Sequence, residues 1–349
     1  MKSSRGGALH PLIELTLARL RELIREPEAL FWAFVFPIVM SVAMAVAFPS
    51  SGNRPVAVGV LSGPTAEAAM RALAAAPGVA PRTVDEAAGL RALREGAVDV
   101  LVVPSEPPEY HFDPGRPESR LARLLVDERL KGAAGRVEPW TARDQPVTVP
   151  GSRYVDWLIP GLVGMGIMST GVWGIAFSIV QARTRKLLKR MVASPMRKSQ
   201  YLLAQVLARM VFLAPEVALP LLFGVYVLGM PIQGSVSAIL GVSIVGALAF
   251  GGIGLLIGSR VKTFEAVSGL VNLVLLPMWI ASGVFFSASK FPAAVQPLVQ
   301  ALPLTAVVDA LRAVILEGAP LRAVAGELTL LAVWGVVPFL VALRIFRWR

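Results

Sequence analysis

Residues 157–180 carry no charged side chain, and three residues later comes a basic run, Arg183-Thr184-Arg185-Lys186-Leu187-Leu188-Lys189-Arg190. A helix over the uncharged stretch would be ~36 Å long, enough to cross a bilayer core of ~30 Å. No Asp or Glu appears in the loop beyond it, where Arg197 and Lys198 follow Ser194-Pro195. Clustered Lys and Arg beside a span mark the cytoplasmic side of a membrane. One piece of sequence therefore predicts a membrane-embedded chain, an orientation and a basic cytoplasmic surface.

The composition agrees. Of 349 residues, 55% are hydrophobic and 16% charged, where a soluble chain would carry roughly 25% charged residues. The net charge of +11 is read as loops beside spans and not as a nucleic-acid surface. With no Cys and only two His, His10 and His111, disulfides and thiolate metal sites are excluded and a multi-His metal site is not expected. The first apolar stretch has no small-residue cleavage site and reads as a retained span.

Along the chain, residues 9–26 place Leu9, Leu12, Ile13, Leu17, Leu20 and Ile24 at three- and four-residue spacing, with Glu14, Arg19, Arg21, Glu22 and Arg25 mainly on the other side. Residues 1–28 are thus a cytoplasmic arm with an amphipathic helix in the membrane interface. Span one covers 29–48. Residues 49–152 turn polar and read as a small extracytoplasmic α/β domain. Its strands fall at 55–61, 98–103 and 110–112, its helices at 65–76, 85–95 and 118–131. Residues 153–349 supply spans two to six, near 155–180, 201–229, 235–258, 266–286 and 328–343. The cytoplasmic loop 181–199 joins spans two and three. Residues 287–308 hold Pro292, Pro297 and Pro303, which no straight span accommodates; they read as a re-entrant outer hairpin.

The predicted fold is an α-helical integral membrane protein with six transmembrane helices, an interfacial helix, a re-entrant hairpin and an outer α/β domain. The basic N-terminal arm, the loops at 181–199 and 259–265 and the C-terminus alternate correctly for six spans with both termini cytoplasmic.

No catalytic motif is present. Lys never follows Gly, so there is no phosphate loop and no ATP site of that kind in this chain. Any metabolic energy has to come from a partner or an ion gradient. No metal site and no catalytic residue is assigned.

Three segments are specific. Tyr154-Val155-Asp156-Trp157-Leu158-Ile159-Pro160-Gly161-Leu162 opens span two. The basic run leads into Ala193-Ser194-Pro195-Met196. Leu302-Pro303-Leu304-Thr305 precedes Asp309-Ala310-Leu311-Arg312. In this order they resemble the permease subunit of ABC-2 type exporters, and the resemblance covers essentially the whole chain. It implies a bacterial inner-membrane protein that exports a drug, lipid or glycan. A second permease, identical in a homodimer, and two ABC ATPase subunits that bind ATP and Mg would complete the transporter. No cofactor binds this chain itself. The outer domain would be open to a periplasmic adaptor, and membrane lipid would surround the spans.

The resemblance also places an ATPase-coupling helix in the 181–199 loop. Leu187, Leu188 and Met191 form its apolar stripe, ringed by Arg183, Arg185, Lys186, Lys189 and Arg190; such a helix can seat apolar anchors in a groove. This loop lacks the Glu and Gly that many family members carry there. The candidate outer-hairpin residues are Pro303, Thr305, Asp309 and Arg312, with Asp309 and Arg312 expected to bridge each other.

Within the spans, Glu216 is a candidate pathway residue, because a carboxylate at membrane depth is costly unless paired or wet. Arg209 lies seven residues earlier on the same helical face, either as its structural partner or snorkelling toward the cytoplasm. Asn272 in span five is a second pathway candidate, or a cross-helix hydrogen-bonding group. Trp157, Trp173, Trp279, Phe285 and Phe286 are weighed as the lining of a hydrophobic path, but such residues are usually interfacial belts and no binding site is assigned to them. The alternative to an ATP-driven exporter is a stand-alone ion-coupled transporter working through Glu216.

Overall fold

The computed structural model describes residues 11–25, 27–47, 55–63, 65–136, 153–187 and 198–346. Contacts divide the chain into two units, Met1–Pro49 with Thr148–Arg349, and Ser50–Val147.

The first unit begins with α1 (Pro11–Ile24), α2 (Pro27–Leu30), a π-helical turn (Phe31–Val35) and α3 (Phe36–Ala47). The faces of α1 depart from the expected division. Ile13, Leu17 and Ile24 are exposed, as an interfacial helix requires, but Arg19 is buried. Its guanidinium donates to Glu22 Oε2 at 2.9 Å and to the Gly174 carbonyl, in a later helix, at 3.1 Å. One turn of the polar face is thereby turned into the protein.

The second unit is a four-stranded sheet in the order β2-β1-β3-β4. Its elements are β1 (Val56–Leu61), α4 (Ala66–Ala74), β2 (Val79–Val84), α5 (Glu86–Glu95), β3 (Val100–Val103), β4 (Glu109–His111) and α6 (Pro117–Ala133). β1 pairs in parallel with β2 and β3, in register Val56↔Val79 and Val58↔Val100; β4 is antiparallel to β3. Val58, Val60, Val100 and Val102 meet Leu73 of α4 and Val126 of α6. On the other face Gly59 and Gly89 let α5 approach; a Cβ at Gly59 would stand 2.5 Å from Leu101 Cδ2. β2 is a strand the sequence reading omits. It contains Pro81 and Arg82 and lies at the sheet edge, the place where a strand tolerates proline.

The first unit resumes with α7 (Tyr154–Thr184), α8 (Lys198–Tyr226), α9 (Val236–Arg260), α10 (Phe264–Ala281), a 3₁₀ turn (Ala288–Lys290), α11 (Gln296–Gln300), α12 (Pro303–Glu317) and α13 (Ala325–Ile345). Among the described residues five helices are long and apolar enough to cross a membrane: Tyr154–Thr184, Gln200–Tyr226, Val236–Arg260, Phe264–Ala281 and Ala325–Ile345; the apolar run Phe31–Ala47 is shorter. The unit is a multi-pass helical membrane protein.

Two boundaries differ from the sequence reading. Span five stops at Ala281, not 286, because Gly283 turns the chain with φ +77°. The segment drawn as a hairpin at 287–308 does not end at 308. Pro303 opens α12, where its missing N–H costs nothing, and no breaker follows until Gly318 at φ +70°. The resulting 15-residue helix is buried along most of its length, including Leu304, Val307, Leu311 and Val314.

α7 is the central post, packed by α3, α8, α9, α10 and α12. α9 crosses α13 at a contact between two glycines; a Cβ at Gly252 would lie 2.5 Å from the Gly335 carbonyl oxygen. Small residues at such crossings let helix backbones touch, which is how helices associate where lipid is as apolar as the side chains.

Candidate functional site

A cavity of about 970 Å³ lies in the first unit, bounded by α1, the π turn, α3, α7 and α8, with Trp279 and Phe285 at one side. Its walls are mostly aromatic and aliphatic, including Trp32, Phe34, Trp173, Phe177 and Phe212. Trp173 and Phe177 pack against each other with centroids 4.6 Å apart. Trp173, Trp279 and Phe285, read from sequence mainly as interfacial aromatics, thus share one space.

The polar part of the wall is built around Glu216. Its side chain is 2% exposed and that of Arg209 is 6% exposed, and the two form an ion pair along α8. Arg209 Nη2 also donates to Thr170 Oγ1. The Thr170 hydroxyl in turn stands 2.6 Å from Glu216 Oε1 and 2.8 Å from the Gly166 carbonyl. Both carboxylate oxygens are therefore occupied, and α7 is cross-linked to α8 by a charge-assisted network. Gly166 leaves room for it; a Cβ there would sit 3.4 Å from Glu216 Oε1. Arg209 Nε and Trp279 Nε1 are buried without a partner among the described residues. Thr170 was not singled out from sequence, since a threonine in an apolar span is unremarkable until its neighbour is known.

The candidates at the basic loop separate. Arg183 is turned inward: Nη1 and Nη2 donate at 3.0 Å to the carbonyls of Gly258 and Ser259, and Nη1 also reaches Val261 O. A cation thus satisfies orphan carbonyls at the C-terminal end of α9. Arg185 and Lys186 are exposed and Leu187 is half-buried; Lys186 adopts φ 58°, which ends α7. Leu188, Lys189, Arg190 and Met191 lie outside the described residues.

At the other end of α7, Arg312 of α12 is the organising cation. Its Nε donates to Trp157 O at 3.1 Å and its Nη2 to Gly283 O at 2.8 Å. The guanidinium carbon lies 3.5 Å from the Trp157 ring centroid. The expected bridge to Asp309 is only marginal, at 3.9 Å with the carboxylate half-exposed. The Pro160-Gly161 step finds its reason here: a Cβ at Gly161 would press to 3.0 Å from Val284 O and 3.1 Å from Arg312 Nη2. Pro303 opens α12, and Thr305 is buried with Oγ1 unpartnered among the described residues. Asn272 is exposed on α10, away from the cavity wall, with no hydrogen bond to a described residue. Among the described residues no cluster of His, Asp and Glu is arranged to hold a metal.

Comparison with known proteins places these observations. Residues 133–344 match the family described as ABC-2 family transporter protein. A probable multidrug ABC transporter permease, YbhS of Escherichia coli (strain K12), is 27% identical over 165 residues, 46% of this chain and 43% of that protein. ABC transporter G family member 20 of Dictyostelium discoideum is 28% identical over 177 residues, 50% of this chain and 24% of that protein. Nodulation protein J of Rhizobium leguminosarum bv. viciae is 31% identical over 102 residues, 29% of this chain and 39% of that protein. The chain thus matches less than half the length of each of these relatives.

Proposed function

The chain belongs to the ABC-2 family of transporter proteins, and from that membership we propose that it is the permease subunit of an ATP-driven exporter. The observation that carries the proposal is the family match over residues 133–344, which takes in the long apolar helices from α7 to α13. A sequence without a phosphate loop leaves ATP and Mg to a partner.

In this reading two ABC ATPase subunits bind the cytoplasmic face and a second copy of the chain completes the path. The substrate is of the drug, lipid or glycan class, and the aromatic cavity beside Glu216 is part of its route. The run Phe31–Ala47 counts as the first of six spans. Both termini face the cytoplasm of a bacterial inner membrane, and the segment before α12 is re-entrant from outside. The outer α/β unit is left for a periplasmic adaptor. Arg183 supports a coupling role for the 181–199 loop, because its bonds tie the base of that loop to α9. The exposed face of α10, with Asn272 at its middle, is the seam for the second permease. An ion-coupled transporter working through Glu216 has less support, since Arg209 and Thr170 already hold both carboxylate oxygens.

The test is a mild-detergent pull-down of the chain from its native cell, beside a Leu187→Asp, Leu188→Asp variant. Recovery of an ABC ATPase with the native chain and its loss from the variant is the expected result. A folded native chain that brings down no ATPase overturns the proposal.

A further inference from the structure

The charges in the cavity wall define the ligand more narrowly than the family does. Three arginines line it, Arg19, Arg25 and Arg209, against one acid, Glu216. Glu216 is neutralised by Arg209 and capped by Thr170, so a cationic ligand would find no free carboxylate. Arg19 shares its charge with an exposed Glu22. Arg25 is exposed. The cavity is therefore apolar along its length and positive at the end where α1 meets the span.

Its dimensions suit a chain-like molecule. The lining residues of α7 run from Met165 to Phe177, about 18 Å along a helix and more than half of a ~30 Å hydrocarbon core. Trp32 lines the cavity and is also 60% exposed, so the wall reaches the surface that lipid covers. Gly174 forms part of the wall, and a Cβ there would meet nothing within 4 Å. The space beside α7 is therefore open at the arginine end of the cavity, where Arg19 holds the Gly174 carbonyl.

The geometry points to a membrane amphiphile with an anionic head as the occupant, its head at Arg25 and Arg19 and its tail running past Trp173 toward Met165, Trp279 and Phe285. This deepens the exporter reading and rests on taking the cavity as part of the route. An anionic head gains charge-assisted hydrogen bonds at the arginines, whereas a zwitterionic head brings its own positive charge to the same place.

The test uses the full chain in neutral detergent and two nitroxide-labelled probes, lysophosphatidylglycerol and lysophosphatidylcholine, read by quenching of tryptophan fluorescence. The anionic probe is expected to bind about tenfold more tightly. Arg25→Gln should bring the two probes to within about twofold of each other. Gly174→Leu should abolish saturable quenching by both, while Gly174→Ala leaves it in place and shows that the helix tolerates a side chain there. Equal affinity of the two probes in the native chain overturns the inference, as does saturable quenching that survives Gly174→Leu. Failure here with an ATPase still recovered in the pull-down removes the ligand class alone. Success here with no ATPase removes the exporter reading and leaves an anionic-amphiphile site.

Discussion

Arg209 and Glu216, two turns apart on α8, neutralise each other inside the membrane unit, and Thr170 of α7 bonds to both. Desolvating two charges is repaid only while both partners and their hydrogen bonds are present. Glu216→Leu or Arg209→Met alone is therefore expected to destabilise by about 3–5 kcal/mol, because each strands the other's charge. The double variant should lose less than either single one. Thermal midpoints of all four proteins in one detergent decide it; additive losses would show that the pair is not what matters.

Arg312 acts through shape as well as charge. A flat guanidinium fork reaches the carbonyls of Trp157 and Gly283 while lying on the Trp157 ring. Arg312→Lys keeps the charge and loses the fork and the stacking, at a cost of about 1–3 kcal/mol. Asp309→Asn should change stability by no more than about 0.5 kcal/mol, since its contact is long and half-exposed. A thermal midpoint for Asp309→Asn that falls as far as that of Arg312→Lys would reverse the assignment of partners.

The glycines of the spans are not equivalent. Gly252→Ala pushes a methyl into the Gly335 carbonyl and is expected to cost about 1–3 kcal/mol. Gly174→Ala meets open space and should be neutral or stabilising by up to about 1 kcal/mol, the helix-propensity difference. Heat-induced loss of helical circular dichroism, compared between the two variants, tests this; equal midpoints would contradict it.

Lys186 holds a left-handed conformation that costs an L-residue about 1–2 kcal/mol. Glycine removes that strain and gives back about 0.5–1 kcal/mol in chain entropy. Lys186→Gly should therefore be neutral to mildly stabilising, and Lys186→Val clearly worse than the native chain. Half-lives at a fixed temperature rank the three; a valine variant as durable as the glycine one would mean that this end of α7 is not so constrained.

In the second unit the Tyr110 phenol donates to Asp127 Oδ1 at 3.2 Å. Burial first, and the Asp127 charge second, push its pKa from 10.0 to about 12. Asp127 moves the other way, held down chiefly by its hydrogen bond from Lys131. Between pH 10 and about 12 the folded unit keeps a proton that the unfolded chain releases, so stability falls as pH rises through that window. A difference titration of phenolate absorbance against Tyr110→Phe should show one late-titrating group disappear. A missing group that titrates near 10 would mean that Tyr110 is not shielded.

Much of this was legible in the sequence because the membrane imposes simple rules. Uncharged runs ended by Arg and Lys located α7, α9 and α13, and a seven-residue spacing put Arg209 on the same face as Glu216. What escaped was set by partners distant in the chain. Asp309 stands one turn from Arg312 and pairs with it at 3.9 Å, as the spacing predicts, yet the carbonyls that hold the arginine belong to Trp157 and Gly283. Arg19 was assigned to a polar face because periodicity cannot see the Gly174 carbonyl. β2 was passed over because Pro81 and Arg82 argue against a strand until the sheet shows it to be an edge. The aromatic residues were visible, but only the fold brings Trp173 of α7, Trp279 of α10 and Phe34 of the π turn around one space.

Arg183 stands at the last turn of α7 and holds the last carbonyls of α9. The two helices therefore share a knuckle at this end. A pull on the chain just beyond Leu187 arrives as a load on both, and neither can tilt away from the other without first breaking bonds to a half-buried guanidinium. Levers are made this way: two rods pinned at one end deliver a small displacement of the pin as a larger sweep at the far end.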